Sequence, residues 1–155
     1  MIFSQTTRNG ALGVNEMVIY SGQIEFETQG EPDIIDITRR VKDQVKASGI
    51  RSGTVTVFCT GSTGAITTIE YEPGLLKDLP NAMERFAPCD AEYEHHLRWQ
   101  DGNGHSHVRA SIIGPSLTIP IINKQMPLGT WQQIVFLELD VRPRNRRIVI
   151  QTIGE

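Results

Sequence analysis

Apolar residues recur along this chain in two distinct periods. From Met17 to Thr28 (MVIYSGQIEFET) the even positions Val18, Tyr20, Ile24 and Phe26 are apolar, the alternation of a strand with one buried face. This stretch predicts one strand or a bent pair, with Gly22 as a candidate bulge. From Asp33 to Ser48 the period lengthens. Ile34, Ile37, Val41 and Val45 recur at spacings of three and four behind Pro32, which predicts a helix. Lys42 and Lys46 suit its C-terminal dipole, and Gly49 is a natural stop. Thr54–Cys59 (TVTVFC) and Ala65–Tyr71 (AITTIEY) read as strands on either side of the polar break Thr60-Gly61-Ser62.

Pro73 opens a second helical stripe through Leu75, Leu76, Leu79, Met83 and Phe86, with Pro80 expected to kink or split it. Residues 88–104 are mostly polar, with Tyr93, Leu97 and Trp99 as anchors. His107–Ile113 predicts a short helix ended by Gly114-Pro115. Ser116–Ile122, Trp131–Asp140 and Arg147–Ile153 predict the remaining strands, and Met1–Glu16 an irregular arm. Strands outnumber helices and do not alternate regularly with them. The pattern gives an α+β domain with a mainly antiparallel sheet and two or three helices.

A chain of 155 residues with 39% apolar and 21% charged residues is expected to fold as one domain spanning 1–155. Its net charge of −3 argues against a nucleic-acid partner held by bulk charge. No apolar run is long enough for a membrane helix, and no basic segment precedes an apolar one at the N-terminus, so a cytoplasmic location is expected. Cys59, inside an apolar strand, reads as a core residue. Cys59 and Cys89 form no CxxC pair.

The chemistry concentrates in one segment. His95, His96, His105 and His107 lie within 13 residues, among Glu92, Glu94, Asp101 and Asn103. Imidazoles titrate near neutrality and ligate metals, so the cluster suits proton transfer, a divalent ion or an anion; a solvated polar loop is the bland alternative. His105 and His107 share a side only in an extended chain; in a helix they point apart. The turn Thr60-Gly61-Ser62-Thr63-Gly64 is rich in hydroxyls and backbone N–H groups that suit a phosphate, or is an ordinary strand connection. Glu70 closes an apolar strand and is a candidate base or ligand. Arg142, Arg144, Arg146 and Arg147 form a candidate anion site or an exposed hairpin. Trp99 and Trp131 read as packing residues.

Several blocks in order resemble the YjbQ/UPF0047 family: Thr60–Glu70, Tyr93-Glu94-His95, Asp101-Gly102-Asn103-Gly104, Ser106–Ser116 and Leu128-Gly129-Thr130-Trp131-Gln132. The resemblance runs from about Met17 onward. It implies a sandwich-like α+β domain that associates as a homotrimer. It also implies a secondary thiamine-phosphate synthase activity, which joins hydroxymethylpyrimidine diphosphate to thiazole phosphate and releases pyrophosphate. On this likeness His95, His107, Asp101 and Glu70 are the candidate catalytic residues. His95 and His107 are candidate ligands of a divalent metal, zinc or magnesium. Ser62, Thr63, Asn103, Arg144 and Arg147 are candidate contacts to a phosphorylated small molecule. Gly61-Ser62 stands where many members carry His-Thr. A metabolite- or metal-binding protein without turnover, or a metal-dependent phosphate-ester hydrolase, would use the same residue types.

Overall fold

The computed structural model describes residues 5–9 and 16–155. Part of the expected irregular arm is a strand, β1 (Gln5–Asn9), because its backbone finds an edge to pair with; residues 1–4 and 10–15 of that arm lie outside the described residues. β2 (Met17–Glu27) is one continuous strand, and its pairing passes Gly22 without a bulge. The glycine serves packing instead: a Cβ there would meet the Gln44 side chain, which lies close enough to accept a hydrogen bond from Tyr20 Oη at 3.0 Å.

The helix expected over 33–48 begins late. Asp33–Asp36 forms a strand, β3, and only Thr38–Ser48 is helical, as α1. Asp36 Oδ1 accepts the Thr38 N–H at 2.8 Å, which turns the chain into the helix. Thr38 Oγ1 accepts the Ile134 N–H at 2.8 Å and fastens that turn to a neighbouring strand. Gly49 ends α1 in the left-handed region, at φ 71°.

β4 (Ser52–Cys59) and β5 (Gly64–Ile69) follow, then α2 (Leu75–Phe86), which is not split at Pro80. The expected polar stretch contains α3 (Glu94–Trp99), and α4 spans Gly104–Ile113, three residues longer at its start than the sequence predicts. β6 (Ser116–Ile122), β7 (Gln133–Glu138) and β8 (Asn145–Gly154) complete the chain. All strand pairs are antiparallel, in a five-stranded sheet ordered β1-β2-β8-β4-β6 and a three-stranded sheet ordered β3-β7-β5.

The alternation in β7 explains the layering. Ile134 and Phe136 face the core shared with the five-stranded sheet and α1, beside Val41, Val57 and Ile150. Val135 and Leu137 face a second core with Met83 of α2 and Ala110 of α4. The small sheet is therefore covered on both faces, which is why β7 reads as a continuous apolar run. Trp131 sits in the turn before β7 and is 71% exposed; Leu97 and Trp99 are 76% and 64% exposed. None of the three packs inward as the sequence reading expected: α3 has no buried residue, and Trp131 lies in an exposed turn.

Candidate functional site

α3 packs against α4, which lies on β5 of the small sheet. Gly104 permits their close approach: a Cβ there would lie 2.5 Å from Tyr93 Cβ and 3.1 Å from His96 Nε2. His96 Nε2 instead accepts the Gly104 N–H at 3.0 Å, satisfying a donor at the start of α4. His96 is thus a structural partner of the helix terminus.

This approach brings His95 of α3 against His107 of α4, with ring centroids 4.4 Å apart and planes 33° apart. His95 Nδ1 lies 3.4 Å from Asp101 Oδ1. That contact lacks hydrogen-bond alignment, and Nδ1 is buried without a hydrogen-bond partner among the described residues. Asn103 is buried, and with its amide nitrogen turned to Asp101 it donates to the carboxylate at 2.9 and 3.2 Å. Asn103 thereby fixes the acid beside the imidazoles. His107 is held below its ordinary value by burial first and by His95 second, while Asp101 and Asp140 pull the other way.

The Asp140 charge links this pair to a second group of residues. Asp140 is buried and accepts from Thr63 Oγ1 at 3.0 Å and from Arg144 Nε at 3.0 Å. Burial works against its charge, but Arg144 and Thr63 together outweigh it and hold the carboxyl below its ordinary value. Arg146 Nη2 reaches Thr63 Oγ1 at 2.9 Å, and Arg146 pairs with Glu138. Glu138 also accepts from Thr28 Oγ1 at 2.7 Å and from the Asp140 N–H at 2.9 Å.

Of the residues the sequence singles out, the structure brings together His95, Asp101, Asn103 and His107, and connects them through Asp140 to Thr63 and Arg144. Ser62 and Arg147 are exposed nearby in sequence, with Thr60 bonded to the Arg147 carbonyl at 3.1 Å. Glu70 does not join them: it is exposed just past Ile69, at the opposite end of β5 from Thr63, roughly 20 Å along the strand. Sequence reasoning missed Glu138 and Asp140. Their signal was two carboxylates at the end of an otherwise apolar run, IVFLELD.

His105 goes elsewhere. Because α4 begins at Gly104, His105 and His107 point apart, and His105 is buried behind the helix, where its Nε2 meets Glu31 Oε1 at 2.6 Å. Arg109, one turn on, also binds Glu31, at 3.0 Å, and pairs with Glu84. The Cys89 thiol donates to Glu84 Oε1 at 2.8 Å. Burial, then this bond, push that thiol up to about 12. Its hydrogen bond, followed by that of Arg109, holds Glu84 down at about 2. Cys59 is buried in the core as expected.

Among the described residues, two antiparallel sheets, four helices and a histidine–carboxylate corner define an α+β sandwich with a polar corner between α3 and α4. The pattern described as UPF0047 protein YjbQ-like matches residues 22–155, and the chain belongs to that family. A UPF0047 protein of Methanothermobacter thermautotrophicus is 43% identical over 139 residues, covering 90% of this chain and 95% of that one. The UPF0047 protein YugU of Bacillus subtilis is 33% identical over 132 residues, covering 84% and 97%. A crystal structure of a YbjQ-like protein of unknown function from Sulfolobus solfataricus P2 superimposes with a TM-score of 0.86 at 32% identity, covering 90% of this chain and 99% of that one. A YjbQ/UPF0047 protein from Clostridium acetobutylicum gives 0.77 at 34% identity, covering 84% and 98%. No helix among the described residues is long and apolar enough to cross a membrane.

Proposed function

We propose that the corner made by His95, Asp101, Asn103 and His107 binds a phosphorylated small molecule together with a divalent cation, and that the reaction there is of the thiamine-phosphate synthase type. The observation that carries this reading is the meeting of two imidazoles at 4.4 Å beside a carboxylate that Asn103 orients. For a divalent ion the corner would offer two close donors, the buried Nδ1 of His95 and Asp101 Oδ1 at 3.4 Å, with the remaining ligands coming from the phosphorylated molecule or water. When bound, zinc or magnesium would offset charge on the departing diphosphate.

In this reading a thiazole nitrogen attacks the pyrimidine methylene carbon. A C–N bond forms, the C–O bond breaks, and pyrophosphate leaves with the electron pair. His107, held below its ordinary value by burial and then by His95, is available to ligate or to accept a proton. Asn103 and Asp101 orient the imidazoles. Ser62 would contact phosphate oxygens from the turn before β5, with buried Thr63 holding Asp140 and Arg146 behind it, and Arg144 and Arg147 would supply positive charge from the β7–β8 side. The chain acts as one cytoplasmic domain in a homotrimer. What supports the trimer is a set of exposed apolar side chains, Met17, Ile19, Phe58, Ile122 and Ile153, on the otherwise polar outer face of the five-stranded sheet.

The position of Glu70 favours a second reading, binding without turnover, since one proposed acid–base group stands apart from the imidazoles. Incubation with both thiamine precursors and Mg²⁺ or Zn²⁺ separates the two. The synthase reading predicts thiamine phosphate and pyrophosphate in equal amounts, lost in His107→Ala. Stabilisation by pyrophosphate without product supports the binder. Equal turnover and equal pyrophosphate binding in parent and His107→Ala would reject both.

A further inference from the structure

A second polar cluster lies behind α4, on the side of the helix turned away from His107. His105 is buried, and its Nε2 faces Glu31 Oε1 at 2.6 Å. Cys89 Sγ stands 3.6 Å from the same oxygen. The three donor atoms all lie within 4.8 Å of one another. They arrive from the β2–β3 loop, the α2–α3 connection and the first turn of α4, so no sequence spacing announces them.

We propose that Glu31, Cys89 and His105 form a zinc site distinct from the His95–His107 corner. One nitrogen, one oxygen and one sulfur donor suit a borderline-soft dication, whereas magnesium and calcium select oxygen alone. Donor atoms around a tetrahedral zinc are roughly 3.3–3.6 Å apart. The sulfur–oxygen separation of 3.6 Å already matches, and the 2.6 Å nitrogen–oxygen contact needs to open by less than ~1 Å.

The surrounding charges fit the same ion. Arg109 binds Glu31 through its other oxygen, at 3.0 Å, and is anchored on the Ala87 carbonyl at 2.9 and 2.7 Å. It orients the carboxylate and leaves Oε1 toward the other two donors. A guanidinium beside a dication is repulsive by itself, and Glu84, paired with Arg109, offsets it. Zinc displaces the Cys89 thiol proton, which goes to solvent. Glu31, Glu84 and the thiolate then balance Arg109 and the two charges of the ion. Without the ion, and with His105 neutral, the cluster keeps one negative charge in excess.

Cys89 is exposed, so water can reach a fourth coordination position. His105 Nδ1 has no hydrogen-bond partner. The imidazole therefore lacks the outward bond that supports zinc histidines, and an affinity about 10–100-fold below that of a fully supported site is expected. Bound zinc would pin the first turn of α4, which presents Asn103 and His107 on its other side.

Cobalt(II) alone, titrated into the reduced full-length chain, tests the assignment. A thiolate-to-cobalt charge-transfer band in the near ultraviolet is expected. Cys89→Ser abolishes it and weakens zinc at least ~10-fold in competition with a chromophoric chelator. His107→Ala leaves the thiolate band unchanged, which separates this site from the proposed functional one. Since Cys89 is exposed, the Ser variant should keep the parent circular dichroism. No thiolate band at saturating cobalt, or a band that survives in Cys89→Ser, would overturn the proposal. Zinc affinity lost in His107→Ala but kept in Cys89→Ser would overturn it too, by placing the metal at the other corner.

Discussion

Glu138→Ala should be among the most damaging single substitutions near the candidate site. The Glu138 side chain is 0% exposed and that of Arg146 9% exposed. Burial works most strongly against the Arg146 charge, but the hydrogen bond and charge of Glu138, with Cys59 and Asp140, together outweigh it and hold the guanidinium above its ordinary value. Removing the carboxylate leaves that cation buried. It also strips Thr28 Oγ1 and the Asp140 N–H of the acceptor they now hold at 2.7 and 2.9 Å. Breaking a buried pair from one side costs about 3–5 kcal/mol, a large share of the ~5–15 kcal/mol available to a typical domain. With a urea dependence of about 2 kcal/mol per molar, the unfolding midpoint should fall by roughly 1.5–2.5 M.

The Asp140–Arg144 pair gives an internal comparison. The Arg144 side chain is 44% exposed, so solvent screens the interaction, and buried Asp140 keeps its bonds from Thr63 Oγ1 and the Arg142 N–H, so Arg144→Ala should cost less than Glu138→Ala. Replacing both buried partners, as Glu138→Leu with Arg146→Met, removes the stranded charge and should recover much of the loss. Urea unfolding at one fixed chain concentration measures all four proteins, because any oligomer makes stability concentration-dependent. If Glu138→Ala cost no more than Arg144→Ala, or the double variant were no more stable than Glu138→Ala, the reasoning would fail.

Two further outcomes are expected. His107 in the folded chain should titrate below 6.5, its ordinary value, since burial and His95 outweigh Asp101 and Asp140. The unfolded chain then takes up this proton first as pH falls, so the contribution of His107 to stability is intact above about 6.5 and erodes down to the folded midpoint. Histidine NMR shifts against pH check this, and a midpoint at or above 6.5 contradicts it. Gly64→Ala should lose about 1–3 kcal/mol by overpacking, because its new Cβ would lie 2.7 Å from Phe136 Cε2 and 3.1 Å from Cys59 Sγ. Thermal unfolding reads the loss, and an unchanged melting temperature would show that Phe136 moves aside freely.

Period and punctuation in the sequence determined much of this protein. Alternation set the long strands, the spacing of Val41 and Val45 set α1, and Gly49 and Gly114 marked helix ends. The start of α1 was misread because Ile34 and Ile37 fit a helical stripe and also fit a strand entering a turn. Only the backbone of β7, waiting to be paired, selects the strand. Trp99 and Trp131 were misread because composition does not say which way a ring faces.

The histidine-rich segment shows the same division. The sequence places four imidazoles within a short stretch, but where α4 begins determines that His107 turns toward His95 and His105 turns away. Tertiary structure alone supplied their partners, since Asp140, Glu138 and Glu31 come from chain segments far from the histidines. Local pattern is fixed by neighbours along the backbone. A site is fixed by which side chains the packed layers bring within a few ångströms, and that depends on the whole fold.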